Sequence, residues 1–97
     1  MIRHVVMWKF RPECRKEAEE FVQKLCALKE ELPMIRALRV DWDASGKADH
    51  YDAMLTSDFD SAEDLAAYLS DPRHLAVSAL CKAIRESRAS VDYEIEA

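Results

Sequence analysis

Met1-Ile2-Arg3-His4-Val5-Val6-Met7-Trp8-Lys9-Phe10 opens the chain and decides how the rest must fold. Its apolar residues recur with a period of two or lie side by side, which describes a β-strand. Ile2, His4, Val6, Trp8 and Phe10 share one face, and Arg3, Val5, Met7 and Lys9 share the other. Both faces are apolar through the middle, unlike a strand with one wet side. The chain's own helices can cover one face. The other needs a further apolar surface, and a chain of 97 residues has little left to supply it. A second copy of the chain is the natural cover.

Working outward, Arg11-Pro12 makes a turn and a helix entry. Over 13–32, Ala18, Phe21, Val22, Leu25, Leu28 and Leu32 recur at helical spacing, with Cys14 and Cys26 bordering the stripe, and Pro33 stops the helix. Residues 35–42 form a strand, Leu38, Val40 and Trp42 alternating with Arg39 and Asp41. A loop over 43–49 holds the only glycine, Gly46. The strand over 51–59 places Ala53, Leu55, Ser57 and Phe59 on one face and Met54 and Thr56 on the other. Ser61, three residues before Asp64, caps a helix with the stripe Leu65, Tyr68, Leu69. Asp71-Pro72 begins a further helical segment that aligns His74, Val77, Cys81 and Ile84. The last strand is expected over 89–95, with Ala89, Val91, Tyr93 and Ile95 on one face.

The order β-α-β-β-α-β, with the second helix broken at Asp71-Pro72, is that of an α+β ferredoxin-like plait. It is one domain over 1–97, a four-stranded antiparallel sheet with helices on one face and the first strand central. Val5, Met7 and Met54 are left on the bare face, where a homodimer would form sheet to sheet.

Composition narrows the function classes. With 49% hydrophobic and 34% charged residues, the chain is that of a folded, soluble protein. A net charge of −5 and scattered basic residues argue against nucleic acid. No apolar run reaches the ~20 residues of a membrane span, and the N-terminus lacks the order of regions in a signal peptide, so a cytoplasmic location is expected. Cys14, Cys26 and Cys81 are odd in number and without C-x-x-C spacing; they read as three reduced thiols, two of them on helix core faces.

Three side chains point at chemistry. His74 lies in the first turn of its helix and faces inward, where the helix dipole disfavours the imidazolium and leaves a neutral ring fit for a general base. The alternative is a packed histidine bonded to a backbone carbonyl or to Tyr68. His4 shares the inward face with Val6 and Trp8 and can meet His74 in one pocket; alternatively it is a core residue bonded to the backbone. Tyr68 supplies a phenol able to hold an enolate or carbonyl oxygen. His50 reads as solvated beside Asp49, Trp8 and Trp42 as core or interface residues, and Asp52 as the partner of a basic group. Cys14, near a helix start, has the position of a reactive thiol but no flanking activator. No spacing of His4, His50 and His74 suggests a metal site.

The opening strand, Tyr51-Asp52, Phe59-x-Ser61, Tyr68-Leu69-Ser70-Asp71-Pro72-Arg73-His74 and Val91-Asp92-Tyr93, taken in order, resemble the stress-responsive A/B barrel family, or Dabb, for dimeric α-β barrel. The resemblance covers nearly the whole chain and implies the same plait, a homodimer with a central barrel, and, for most members, no established activity. One plant member is an aromatic polyketide cyclase that performs an intramolecular aldol condensation. The resemblance to it falls on His4, on Tyr68 and on His74, which matches its catalytic histidine. Its third-strand histidine corresponds to Ala53, and the family's usual His-Pro-x-x-His is here Asp71-Pro72-Arg73-His74. Other plaits outside this family degrade haem, but no residue here supports haem. Two function classes follow. One is a small stress-response or binding protein with an internal apolar pocket for a hydrophobic ligand. The other is an enzyme without cofactor acting on a hydrophobic carbonyl compound, with His74 as base and Tyr68 and His4 orienting.

Overall fold

The computed structural model describes residues 1–96. Strand β1 (Ile2–Phe10) leads through a 3₁₀ turn (Pro12–Cys14) into helix α1 (Arg15–Glu31). Strands β2 (Ala37–Trp42) and β3 (Ala53–Phe59) follow, then helices α2 (Ala62–Ser70) and α3 (Pro72–Ile84) and strand β4 (Arg85–Glu94). The sheet is antiparallel in the order β2-β3-β1-β4, so β1 is central, as its two apolar faces require.

Local chemistry explains the element ends. The Ser61 hydroxyl accepts from the Asp64 N–H at 3.1 Å, and Asp71 accepts from the Arg73 N–H at 2.8 Å, so both helices start on side-chain caps. Pro72 at the first position of α3 separates it from α2 without leaving the helix layer. Gly46, at φ 68°, turns the β2–β3 loop through the left-handed region.

The core lies between the sheet and the helices. Val6, Trp8 and Phe10 of β1 pack with Phe21, Leu25 and Leu28 of α1, and Trp8 meets Phe21 edge-on at 5.2 Å. Val22, expected in that stripe, sits half-buried at its border.

Three expectations need correction. Strand β4 begins at Arg85, four residues ahead of the alternating segment, because Phe10 and Lys9 still offer backbone partners to Arg85 and Ser87 across a bulge. Polar side chains there hid a strand that the backbone pairing makes. Among the cysteines only Cys81 is buried; Cys14 is half-buried and Cys26 exposed, so one thiol and not two lies in the core. His50 is bonded rather than merely solvated: its Nδ1 lies 2.8 Å from Ser45 Oγ and 3.1 Å from Asp43 Oδ1.

The opposite sheet face is bare of helices. Cross-strand register puts Val91 beside Val5 and Tyr93 beside Arg3, and sets Met54 against Met7. Met54, Val91 and Tyr93 are 38%, 54% and 44% exposed, a contiguous apolar patch on a central sheet. Arg3 crosses it to form a two-pronged ion pair with Asp58 at 2.8 and 3.0 Å.

Candidate functional site

Strand β1 aims His4 at the helix layer, and α2 and α3 aim Tyr68 and His74 back at the sheet. The three meet in one cavity of about 230 Å³. Its body is Val6, Trp8, Phe21, Leu25, Leu55 and Leu69, and Ser78, Cys81, Lys82, Arg85 and Arg88 complete the lining.

His74 stands in the first turn of α3. Its Nδ1 lies 3.1 Å from the carbonyl oxygen of Leu69, in the last turn of α2. A carbonyl only accepts, so Nδ1 carries the proton and Nε2 keeps the lone pair in the neutral ring. Burial pushes the His74 pKa below the usual imidazole value. The Leu69 hydrogen bond opposes that shift, as does Asp71, while His4 and Arg88 reinforce it. The ring therefore favours the neutral form, but desolvation is the leading cause, where the sequence argument gave that place to the helix dipole.

Tyr68 is fully buried, at 0% exposure, between Phe59 and His74, with ring centroids 5.1 and 4.4 Å away. Its hydroxyl has no hydrogen-bond partner among the described residues. Burial pushes its pKa far up, so the group is a phenol that can donate. An unpaired buried hydroxyl costs about 1–3 kcal/mol. Tyr68→Phe should therefore raise the unfolding midpoint by about 4–8 °C per kcal/mol recovered, as a calorimetric scan would show. A lower midpoint would mean that the hydroxyl is satisfied.

His4 is 4% exposed, and its Nδ1 lies 2.6 Å from Asp92 Oδ1 on the neighbouring strand. The carboxylate fixes the ring and leaves Nε2 as the other working atom. Asp92 is the partner of this cluster that sequence reasoning missed. It is paired with His4 by the β1–β4 register, across 88 positions of sequence.

Asp52 and the loop cluster of Asp43, Ser45 and His50 stay outside the cavity. Asp52 accepts from the Phe10 N–H at 2.8 Å and from Lys9 Nζ at 3.3 Å, so it joins the end of β1 to the segment before β3. Ala53 is buried beneath the sheet opposite Trp8 and brings no histidine equivalent. Asp43, Ser45 and His50 have the composition of a catalytic triad, but both partners address the same ring nitrogen, so they order the loop and relay no proton. Burial pushes the Cys81 thiol up, which makes it a poor nucleophile. Among the described residues, no group of three His, Cys, Asp or Glu side chains could hold a metal ion, and no helix is long and apolar enough to cross a membrane.

The low His74 pKa has a sign that stability can test. Between that value and about 6.5, the unfolded chain binds the proton more readily than the folded one. Stability from this group is complete above about pH 6.5 and is lost as pH falls toward the folded pKa. Urea titrations should show wild type losing more stability from pH 7 to pH 5 than His74→Gln; parallel losses would contradict the shift.

Comparison with known proteins matches residues 2–95 to the family described as Stress responsive A/B Barrel Domain. A dimeric protein of unknown function with a ferredoxin-like fold, from Bacteroides fragilis, is 28% identical, with a TM-score of 0.88 over 97% of this chain and 95% of that one. A dabb family protein from Mesorhizobium loti is 19% identical, with a TM-score of 0.80 over 99% and 97%. A hydroxynitrile lyase from Passiflora edulis is 18% identical, with a TM-score of 0.87 over 98% and 93%. The last two share the fold. A search of curated proteins found no match.

Proposed function

The chain belongs to the stress responsive A/B barrel domain family, and from that premise we propose that it is a homodimer whose helix-side cavity performs acid–base chemistry without a cofactor on a small hydrophobic carbonyl compound. The observation that carries this reading is the unpartnered Tyr68 hydroxyl, fully buried beside His74. A packed core would satisfy such a group or dispense with it. A carbonyl oxygen bound there would accept the phenolic hydrogen bond, and that bond strengthens as the oxygen gains charge. Nε2 of His74 would take a proton from the carbon next to the carbonyl, leaving an enolate held by Tyr68. His4, steadied by Asp92, orients the substrate or holds a second oxygen. Enolisation of this kind is the first half of an aldol reaction, the chemistry that the resemblance to the plant cyclase implies.

The bare sheet face supports the dimer. An apolar patch of Val5, Met7, Met54, Val91 and Tyr93 can be covered by its own copy across a two-fold axis, and the Bacteroides neighbour is itself dimeric.

Proton exchange tests the cavity without knowledge of the natural substrate. Acetophenone in D₂O should exchange its methyl protons faster with the protein than without it, as followed by NMR. If acetophenone binds, as judged by a thermal shift, and no exchange is catalysed, the cavity belongs to a binding protein without turnover.

A further inference from the structure

We infer that the cavity is built for a small apolar keto acid, with the acid's charge held at a cationic mouth formed by Lys82, Arg85 and Arg88. This inference rests on the acid–base reading of the same cavity and adds the class of its substrate. Trp8 pairs with Arg88 and His4 with Asp92 in the sheet register, so Arg88 and Asp92 lie on the helix side of β4. That strand is the edge of the sheet. Its helix-side row of Arg88, Ser90 and Asp92 is polar, and the lining residues Lys82 and Arg88 are exposed, which puts the solvent side of the cavity at this edge.

What sets this mouth apart is that its cations share one cavity; Arg11, Lys16, Lys24, Lys29 and Lys47 also form no salt bridge among the described residues, but none of them lines it. Arg3, Arg15, Arg36, Arg39 and Arg73 each form a salt bridge with a carboxylate. Among the described residues, Lys82, Arg85 and Arg88 form none. The polar partners found for the two arginines are neutral: Arg88 Nη1 donates to Ser90 Oγ at 3.3 Å, and Arg85 Nη1 lies 4.0 Å from Cys81 Sγ. Three cations without carboxylates line one cavity in a chain whose 19 acidic residues outnumber its 14 basic ones. The carboxylates further along the row do not fill the site. Asp92 is engaged by His4, and neither it nor Glu94 lines the cavity.

The second, independent pointer is the buried Tyr68 hydroxyl. A ligand with a carbonyl at Tyr68, an apolar body on Trp8 and an anionic end at the arginines would give the buried hydroxyl an acceptor and the two guanidinium groups a carboxylate. Guanidinium groups suit a carboxylate because their paired N–H donors match its two oxygens. The volume, about 230 Å³, lies below the ~300–1,000 Å³ of sites for drug-sized ligands, which limits the ligand to a small molecule.

Two probes of one skeleton test this: 3-benzoylpropionate and its neutral amide, 3-benzoylpropionamide. Calorimetric titration at low salt should show the acid binding about tenfold or more tightly than the amide, with the preference shrinking as salt is raised. The Arg85→Gln/Arg88→Gln double variant, checked for its fold by circular dichroism, should lose the preference and keep its affinity for the amide. Equal binding of acid and amide by wild type overturns the inference, as does a preference that survives in the double variant. No binding of either probe at millimolar concentration overturns it too. Exchange of the protons next to the ketone is read in the same samples. Tight binding of the acid without exchange retains the ligand class and rejects the acid–base reading, whereas exchange with no preference for the acid does the reverse.

Discussion

With the dimer formed sheet to sheet as proposed, Val5→Asp should convert the protein to a monomer. Val5 lies at the centre of the bare sheet face, on the central strand, between Thr56 of β3 and Val91 of β4. In a two-fold interface every substitution appears twice, so one change introduces two carboxylates into an apolar contact. Leaving water without a partner costs several kcal/mol per ion, and each 1.4 kcal/mol is tenfold in the dissociation constant. The dimer should weaken by about a thousandfold or more. Light scattering at micromolar concentration should give the mass of one chain, 11.2 kDa. The fold has reason to survive, because the backbone ladder of β1 and the helix-side core of Val6, Trp8 and Phe10 do not involve this side chain. Aspartate is a poor strand residue, so Val5→Thr serves as the control for β1 itself. A Val5→Asp protein that keeps the mass of two chains would place the interface elsewhere.

How much of this could be read beforehand depended on whether the signal was local. The two apolar faces of β1 announce a central strand within ten consecutive letters, and the caps at Ser61 and Asp71 are equally local. Periodicity alone put His4, Tyr68 and His74 on the inner side. The pairing of His4 with Asp92 was not legible, because it requires the register between the first and last strands. In sequence, Asp92 looks like one more polar letter on the wet side of an alternating strand. Arg85 and Arg88 were hidden by the same cause: Arg85-Glu86-Ser87-Arg88 has no hydrophobic alternation, and only the backbone of β1 makes it a strand. The orphaned Tyr68 hydroxyl is a property of packing, which no spacing rule reports.

His74→Gln should slow the exchange of acetophenone protons by about 10² to 10⁴-fold, the range that a positioned base contributes. Glutamine is close in length and keeps an amide N–H that can reach the Leu69 carbonyl, but it has no atom basic enough to take a proton. The structural part of the histidine's role is thus largely retained while the chemical part is removed. That separation matters because His74 has a structural role of its own: its Nδ1–H holds a carbonyl at the end of α2, and its ring packs on Tyr68. If the histidine were only a packing residue, the variant would lose stability and exchange together. Acetophenone binding would then fall with the unfolding midpoint. If it is the base, binding persists and exchange does not. The pH profile separates the cases further. Only the neutral ring can accept a proton, and burial holds its pKa below about 6.5. Wild-type exchange should therefore rise as pH climbs through that lowered value and reach a plateau near neutrality, where a fully exposed imidazole would still be titrating. His74→Gln should lack this inflection. His4→Gln should keep it at a reduced plateau, since the role proposed for His4 is to orient the substrate and not to take the proton.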